Sequence, residues 1–214
     1  PLPKGTRLWR ARTDIPKGTA AKMEDFCPPP KQYALQSNRM NPPGIPMMYG
    51  ASTSITAVKE TRATQARVGL WKTLRDLRVL DLRKLPPVPG VFSSANRQEI
   101  LGIRFLREFA TDIVKPVARD ERHHVDYLPS QVVSEFLKDY QFAGGPIDGV
   151  SYDSTIHKQG WNIALFIVES ALCDSSGRSI SSGSEVEHAV RTLMCKYAPA
   201  NRCLQFVKSV RVKV

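Results

Sequence analysis

Paired cysteines are absent. The four cysteines, Cys27, Cys173, Cys195 and Cys203, are scattered and make no C-x-x-C unit. Zinc sites favour close paired ligands, and disulfide scaffolds are short and rich in cysteine. Reduced thiols, no metal and a cytoplasmic setting are therefore expected. Long hydrophobic runs are absent too, and none approaches the roughly 20 residues of a membrane span. The opening PLPKGTRLWRART lacks the apolar stretch of a secretory signal. It also lacks an initiator methionine and reads as trimmed from a longer chain. Acidic residues are outnumbered, 20 against 31 basic, for a formal charge of +11. Nucleic acid, an acidic protein or a phosphate-bearing ligand would each suit that excess. The basic residues form no block, however, and few aromatics lie among them. No helix-turn-helix, RNP-like or zinc-finger pattern is present, so direct contact with nucleic acid is not expected. A basic nucleic-acid-binding protein remains the alternative from another class.

What is present suits a single core. A chain of 214 residues with 42% hydrophobic content is long enough to bury one. TRLWRAR alternates as a strand does, with Leu8, Arg10 and Arg12 on one face and Trp9 and Ala11 on the other. The proline-rich 27–44 must be loop. IPMMYGA reads as a short buried strand, and STSITAVKETRA as a helix with hydroxyl residues at its cap and Glu60 near its middle. LRVLDL (77–82) is a strand. NRQEILGIRFLREFATDIV is the clearest helix, with a capping box of Asn96 and Glu99 and an apolar stripe of Ile100, Ile103 and Leu106, widened by Leu101 and Phe105. PSQVVSEFLKDY is a second helix with Val132, Val133, Phe136, Leu137 and Tyr140 on one side. IDGVSYDS and WNIALFIV are strands on either side of a turn near Gly160. DSSGRSISSGS (174–184) reads as a surface link, followed by a short helix, EVEHAVRTLMCKY, and a last strand. Regular strand–helix crossovers are missing, so a mixed α+β domain is expected ahead of a doubly wound α/β one.

Three polar side chains stand out in NRMNPPGIPMMYGASTSITAVKE (38–60). A proline-rich loop ends near Arg39, whose forked guanidinium matches phosphate oxygens. The strand carries Tyr49, a ring able to stack on a flat cationic ring such as nicotinamide. Glu60 supplies a carboxylate that stabilises a developing cation or accepts from a sugar hydroxyl. Taken singly, each has an ordinary reading as surface arginine, core tyrosine and helical glutamate.

Four segments in order, NRMNPPGIPMMYGAS, TAVKE, YLPSQVVSEFLKD and IDGVSYDSTIHKQGWNIALF, resemble the RES-domain family. Arg39, Tyr49 and Glu60 fall at the family's arginine, tyrosine and glutamate, and Ser154 at the serine of its G-x-x-Y-x-S element. LWRAR is similar to the family's opening strand. The resemblance implies a catalytic domain over 7–173, with 174–214 as a C-terminal extension packed on it. It implies a fold like the diphtheria-toxin-like ADP-ribosyltransferases and a toxic activity that consumes NAD as substrate. Some relatives split NAD with water or phosphate, and others attach ADP-ribose to protein. It also implies a protein antitoxin as partner. The chain departs from the compact version in a longer middle, 85–126, and in the tail past 174.

On that resemblance Glu60 stabilises the sugar cation, Arg39 holds the pyrophosphate, Tyr49 packs on nicotinamide and Ser154 hydrogen-bonds ribose or backbone. Arg10 or Arg12 adds phosphate contacts. Tyr127 and Gln131 either touch the ligand or pack the start of their helix. His123 and His124 read as a solvated turn next to RDER. His157 reads as a satisfied surface histidine, though Ser154 is three residues away. His188 carries no signal.

Overall fold

Alternating residues make strands here, and a threonine hydroxyl and an asparagine amide cap two of the helices. The computed structural model describes residues 1–16, 18–90, 92–115, 123–167, 172–173 and 203–213, with backbone alone at 123, 124 and 173. In chain order the elements are β1 (Arg7–Arg12), β2 (Met48–Ala51), α1 (Ser54–Glu60), β3 (Gln65–Thr73), β4 (Val79–Asp81), α2 (Arg97–Ile113), α3 (His123–Asp126), α4 (Leu128–Asp139), β5 (Gly149–Asp153), β6 (Trp161–Leu165), β7 (Leu172–Cys173) and β8 (Leu204–Lys213). The strands form one sheet in the order β4-β5-β6-β2-β1-β3-β8-β7. Only β4 with β5 and β7 with β8 run parallel; the other neighbours are antiparallel. The mixed α+β class is the one expected. The reading of 174–184 as a link, the tail helix, His188 and Cys195 lie outside the described residues.

Side-chain alternation divides the sheet into two faces. One carries Leu8, Met48, Trp71, Ile163 and Leu165, packed with Phe26, Cys27 and Leu204. Gly69 lies beneath the Phe26 ring, where a Cβ would come within 2.5 Å of ring carbon. The other face has two parts. Ala51, Ala66 and Val68 pack against Ala57 and Val58 of α1. Val150, Tyr152 and Ala164 pack against Phe109 and Ile113 of α2 and Leu137 of α4. Helix α1 therefore covers one half of this face, and α2 and α4 cover the other.

The structure departs from the expectations at four elements. Strand β3, the partner of both β1 and β8, was not foreseen. Helix α1 ends at Glu60, so the carboxylate stands at a C-terminus and not in mid-helix; Arg62, at φ 58, turns the chain away. In α4 the inward residues are Ser130, Gln131, Ser134 and Leu137, while Val132 and Phe136 are 62% and 58% exposed. Leu101 and Phe105 of α2 likewise face outward, and burial falls to Phe109 and Ile113. Asn96 does cap α2, accepting from the Glu99 N–H at 2.9 Å.

Candidate functional site

Glu60 reaches its place because α1 is fixed at both ends. Thr53 caps the helix by accepting from the Thr56 N–H at 3.1 Å. Thr56 and Glu60 are one turn apart and share a side of the helix. Ser154, just past β5, donates to Glu60 Oε1 at 2.6 Å, and Asn162 of β6 donates to the same oxygen at 2.7 Å. Asn162 is cross-strand partner to Ala51 on one side and Tyr152 on the other, so sheet register sets where its amide points. Glu60 Oε2 has no hydrogen-bond partner among the described residues. Hydrogen bonds to a carboxylate are worth about 1.5–3 kcal/mol each, enough to hold one rotamer.

The turn between β5 and β6 is tied to the same helix. The His157 N–H donates to Ser154 Oγ at 3.0 Å, and His157 Nδ1 lies 2.8 Å from Thr56 Oγ1. Gly160 closes the turn through Ser154 N–H to Gly160 O at 3.0 Å and Gly160 N–H to His157 O at 2.8 Å. A Cβ on Gly160 would sit 2.1 Å from Thr56 Oγ1, so only glycine permits this approach. His157 thus positions the serine that positions Glu60.

Arg39 comes from a different kind of support. Its Nη2 donates to the Lys115 carbonyl at 3.0 Å, and its guanidinium lies 5.4 Å from the centre of the Tyr127 ring. Ser130 donates to the Arg39 carbonyl. The Gln131 amide donates to Ser37 Oγ and the Asn38 carbonyl, both at 2.8 Å, and to the Asn41 carbonyl at 3.2 Å. The polar inner face of α4 therefore grips the loop that presents Arg39. Tyr49 grips it from below: its hydroxyl donates to Asn41 Oδ1 at 2.6 Å and accepts from the Met40 N–H at 3.2 Å. Burial, with Tyr152 second, raises the Tyr49 phenol well above its ordinary value, against the Met40 N–H, Arg10 and Arg39.

Arg12 clamps the Asp25 and Cys27 carbonyls at 2.8 and 3.1 Å. Arg10, on the Leu8 side of β1, donates to Met48 Sδ at 3.5 Å and the Tyr49 carbonyl at 3.4 Å. β1 and β2 share a single paired position, Trp9 with Ala51, and Arg10 fills the space where they part. Its Nε is buried without a partner, and burial, with Arg12 second, pulls the guanidinium down to about 9. No contact joins Arg10 to Glu60 or Ser154 among the described residues.

The charges of Arg39 and Glu60 both bear on the Tyr152 phenol. The phenol is raised by burial first and by the Glu60 charge second, and the Arg39 charge opposes both. One ring therefore lies within electrostatic reach of the cation and the anion. A family model described as RES domain matches residues 7–180. The chain belongs to the RES domain family. A search of curated proteins found no match. RES membership makes the chain one of a family of NAD-using toxin-type proteins, and the particular reaction is a separate matter.

Two RES-segment residues escaped the sequence reading. Asn162 was visible as a lone amide inside the apolar WNIALF, and Tyr152 as the tyrosine of GVSYDS, two residues after Val150 on the same face. Surface depressions of about 590 Å³, lined by Glu135, Phe136, Asp139, Tyr140 and Gln141, and about 380 Å³, along Arg107–Lys115, do not include Glu60. Among the described residues no three His, Cys, Asp or Glu side chains cluster to hold a metal, and no helix is long and apolar enough to cross a membrane.

Proposed function

We propose that the protein cleaves the nicotinamide–ribose bond of NAD. The observation that carries this reading is the Glu60 carboxylate, anchored through one oxygen by Ser154 and Asn162, with its other oxygen unpartnered among the described residues. As the C1′–N bond breaks, its electron pair passes to the ring nitrogen and nicotinamide leaves neutral. The ribose is left with oxocarbenium character, which a fixed carboxylate stabilises more than it does the ground-state sugar. Arg39 suits the pyrophosphate, because a guanidinium pairs with two phosphate oxygens at once. Tyr49, with its hydroxyl tied to the loop, offers only its ring to nicotinamide. Water or phosphate then adds at C1′ and loses a proton to solvent.

Hydrolase, phosphorylase and protein mono-ADP-ribosyltransferase differ only in that acceptor. The toxin reading adds a cytoplasmic NAD pool as target and an inhibitory protein partner. Purified protein incubated with NAD, with and without phosphate, should release nicotinamide together with ADP-ribose or its 1″-phosphate, as followed by chromatography. NAD that survives intact in every arm sinks the proposal. Steeply salt-dependent binding to DNA or RNA without nicotinamide release would install the nucleic-acid reading instead.

A further inference from the structure

Tyr152 stands in this site with nothing to hold. It is 8% exposed, and its hydroxyl makes no hydrogen bond with any described residue. The hydroxyl is not sealed off, since the buried polar atoms without partners belong to Arg10, Trp71, Ser134 and Glu135. Buried tyrosine hydroxyls as a rule find a partner. Its neighbour in the sequence of the sheet face shows the contrast: Tyr49 uses its hydroxyl twice, on Asn41 and Met40. Nothing inside the fold explains a free phenol on the residue paired across the sheet with Asn162, whose amide donates to Glu60 at 2.7 Å. Burial and the Glu60 charge keep the proton on the oxygen, so at neutral pH the group is a donor.

We propose that Tyr152 is a substrate-binding residue whose hydroxyl donates a hydrogen bond to the ribose lying between the cleaved bond and the pyrophosphate. This rests on the NAD reading, because with Glu60 at the glycosidic carbon and Arg39 at the pyrophosphate, that ribose is what lies between them. A ribose oxygen accepts from a neutral phenol, and phenylalanine keeps the ring while removing the donor.

The test is calorimetric titration of NAD, ADP-ribose and nicotinamide into Glu60→Gln protein and into the Glu60→Gln/Tyr152→Phe double variant. Glutamine at 60 slows turnover while its carbonyl still accepts from Ser154 and Asn162. NAD and ADP-ribose, which both contain this ribose, should bind about tenfold more weakly to the double variant, and nicotinamide should bind both proteins alike. The unfolding midpoint should not fall, because no partner is left unpaired. Equal affinities for NAD and ADP-ribose in the two proteins overturn the role of Tyr152 and leave the NAD reading standing. Failure of the Glu60→Gln protein to bind either NAD or ADP-ribose overturns the NAD reading and the Tyr152 role with it.

Discussion

Glu60 is gripped by side chains rooted in the β5–β6 unit, whereas Arg39 comes from a proline-rich loop that α4 pins mainly through backbone carbonyls. Ser154 and Asn162 converge on one oxygen of Glu60 at 2.6 and 2.7 Å; sheet register fixes Asn162, and the β5–β6 turn fixes Ser154. Arg39 itself has one carbonyl and one ring for company. The anionic end is thus preorganised, as stabilising a transient charge demands. The cationic end can adjust to a ligand, as binding demands. Substitutions at the two ends should separate accordingly, the first lowering kcat and the second raising KM.

The sharpest break comes from Glu60→Gln. It keeps both hydrogen bonds and removes the charge, so kcat for nicotinamide release should fall by a hundredfold or more, on the order of 3 kcal/mol of barrier. An unchanged kcat would remove Glu60 from the chemistry. Ser154→Ala leaves the charge in place and frees its carboxylate to turn; kcat should drop about tenfold with KM little altered, for loss of one charge-assisted bond. If KM rises instead, Ser154 contacts substrate and does not act through Glu60. At the other end, Arg39→Glu should raise KM tenfold or more through lost phosphate pairing and added repulsion, while kcat at saturation stays within a few-fold. Unchanged NAD affinity in a calorimetric titration would take Arg39 out of the site.

The two ends also differed in how legible they were. Glu60, Arg39, Tyr49 and Ser154 stood out only because four segments in order resemble the RES domain; singly each had an ordinary reading. Asn162 did not stand out, because an amide inside a strand declares no purpose until register shows what stands beside it. Strand β3 was overlooked because QARVGLWKT follows the end of α1 with only a short turn and contains a glycine; that glycine is required by the Phe26 ring above it. In α4 the expected apolar side is only partly buried, with Leu137 and Val133 inward and Val132, Phe136 and Tyr140 exposed, for a physical reason. Hydrophobic periodicity assumes that a helix buries its apolar side, but α4 turns Ser130 and Gln131 inward to hold the Arg39 loop and leaves Val132 and Phe136 outside. The most misleading element for the fold is therefore one that builds the site.

Tyr49 holds the Arg39 loop through Met40 and Asn41, and its ionisation offers a probe of that grip. Its folded phenol is raised above the ordinary value near 10, so in the folded state the proton is held where the unfolded chain would lose it. The stability this gives is complete below pH 10 and is lost as pH rises from there toward the folded value. Wild-type protein should lose stability in denaturant titrations above pH 10, and Tyr49→Phe should lose less across the same range. Parallel curves would mean that the phenol is not held in this way.

The smallest effect is expected from Gln131→Ala, and it tests the loop-grip idea most directly. The Gln131 amide reaches three acceptors in 37–41, so its removal should loosen the presentation of Arg39 without touching the chemistry. KM for NAD should rise a few-fold, kcat should hold, and stability should fall by about 1–2 kcal/mol because buried carbonyls lose a donor. The decisive comparison is the double variant with Arg39→Ala. If Gln131 acts only through Arg39, adding Gln131→Ala to a chain already lacking the guanidinium should leave KM where Arg39→Ala put it. If the two increments multiply instead, Gln131 contacts the substrate independently, and α4 would be part of the binding surface and not its scaffold.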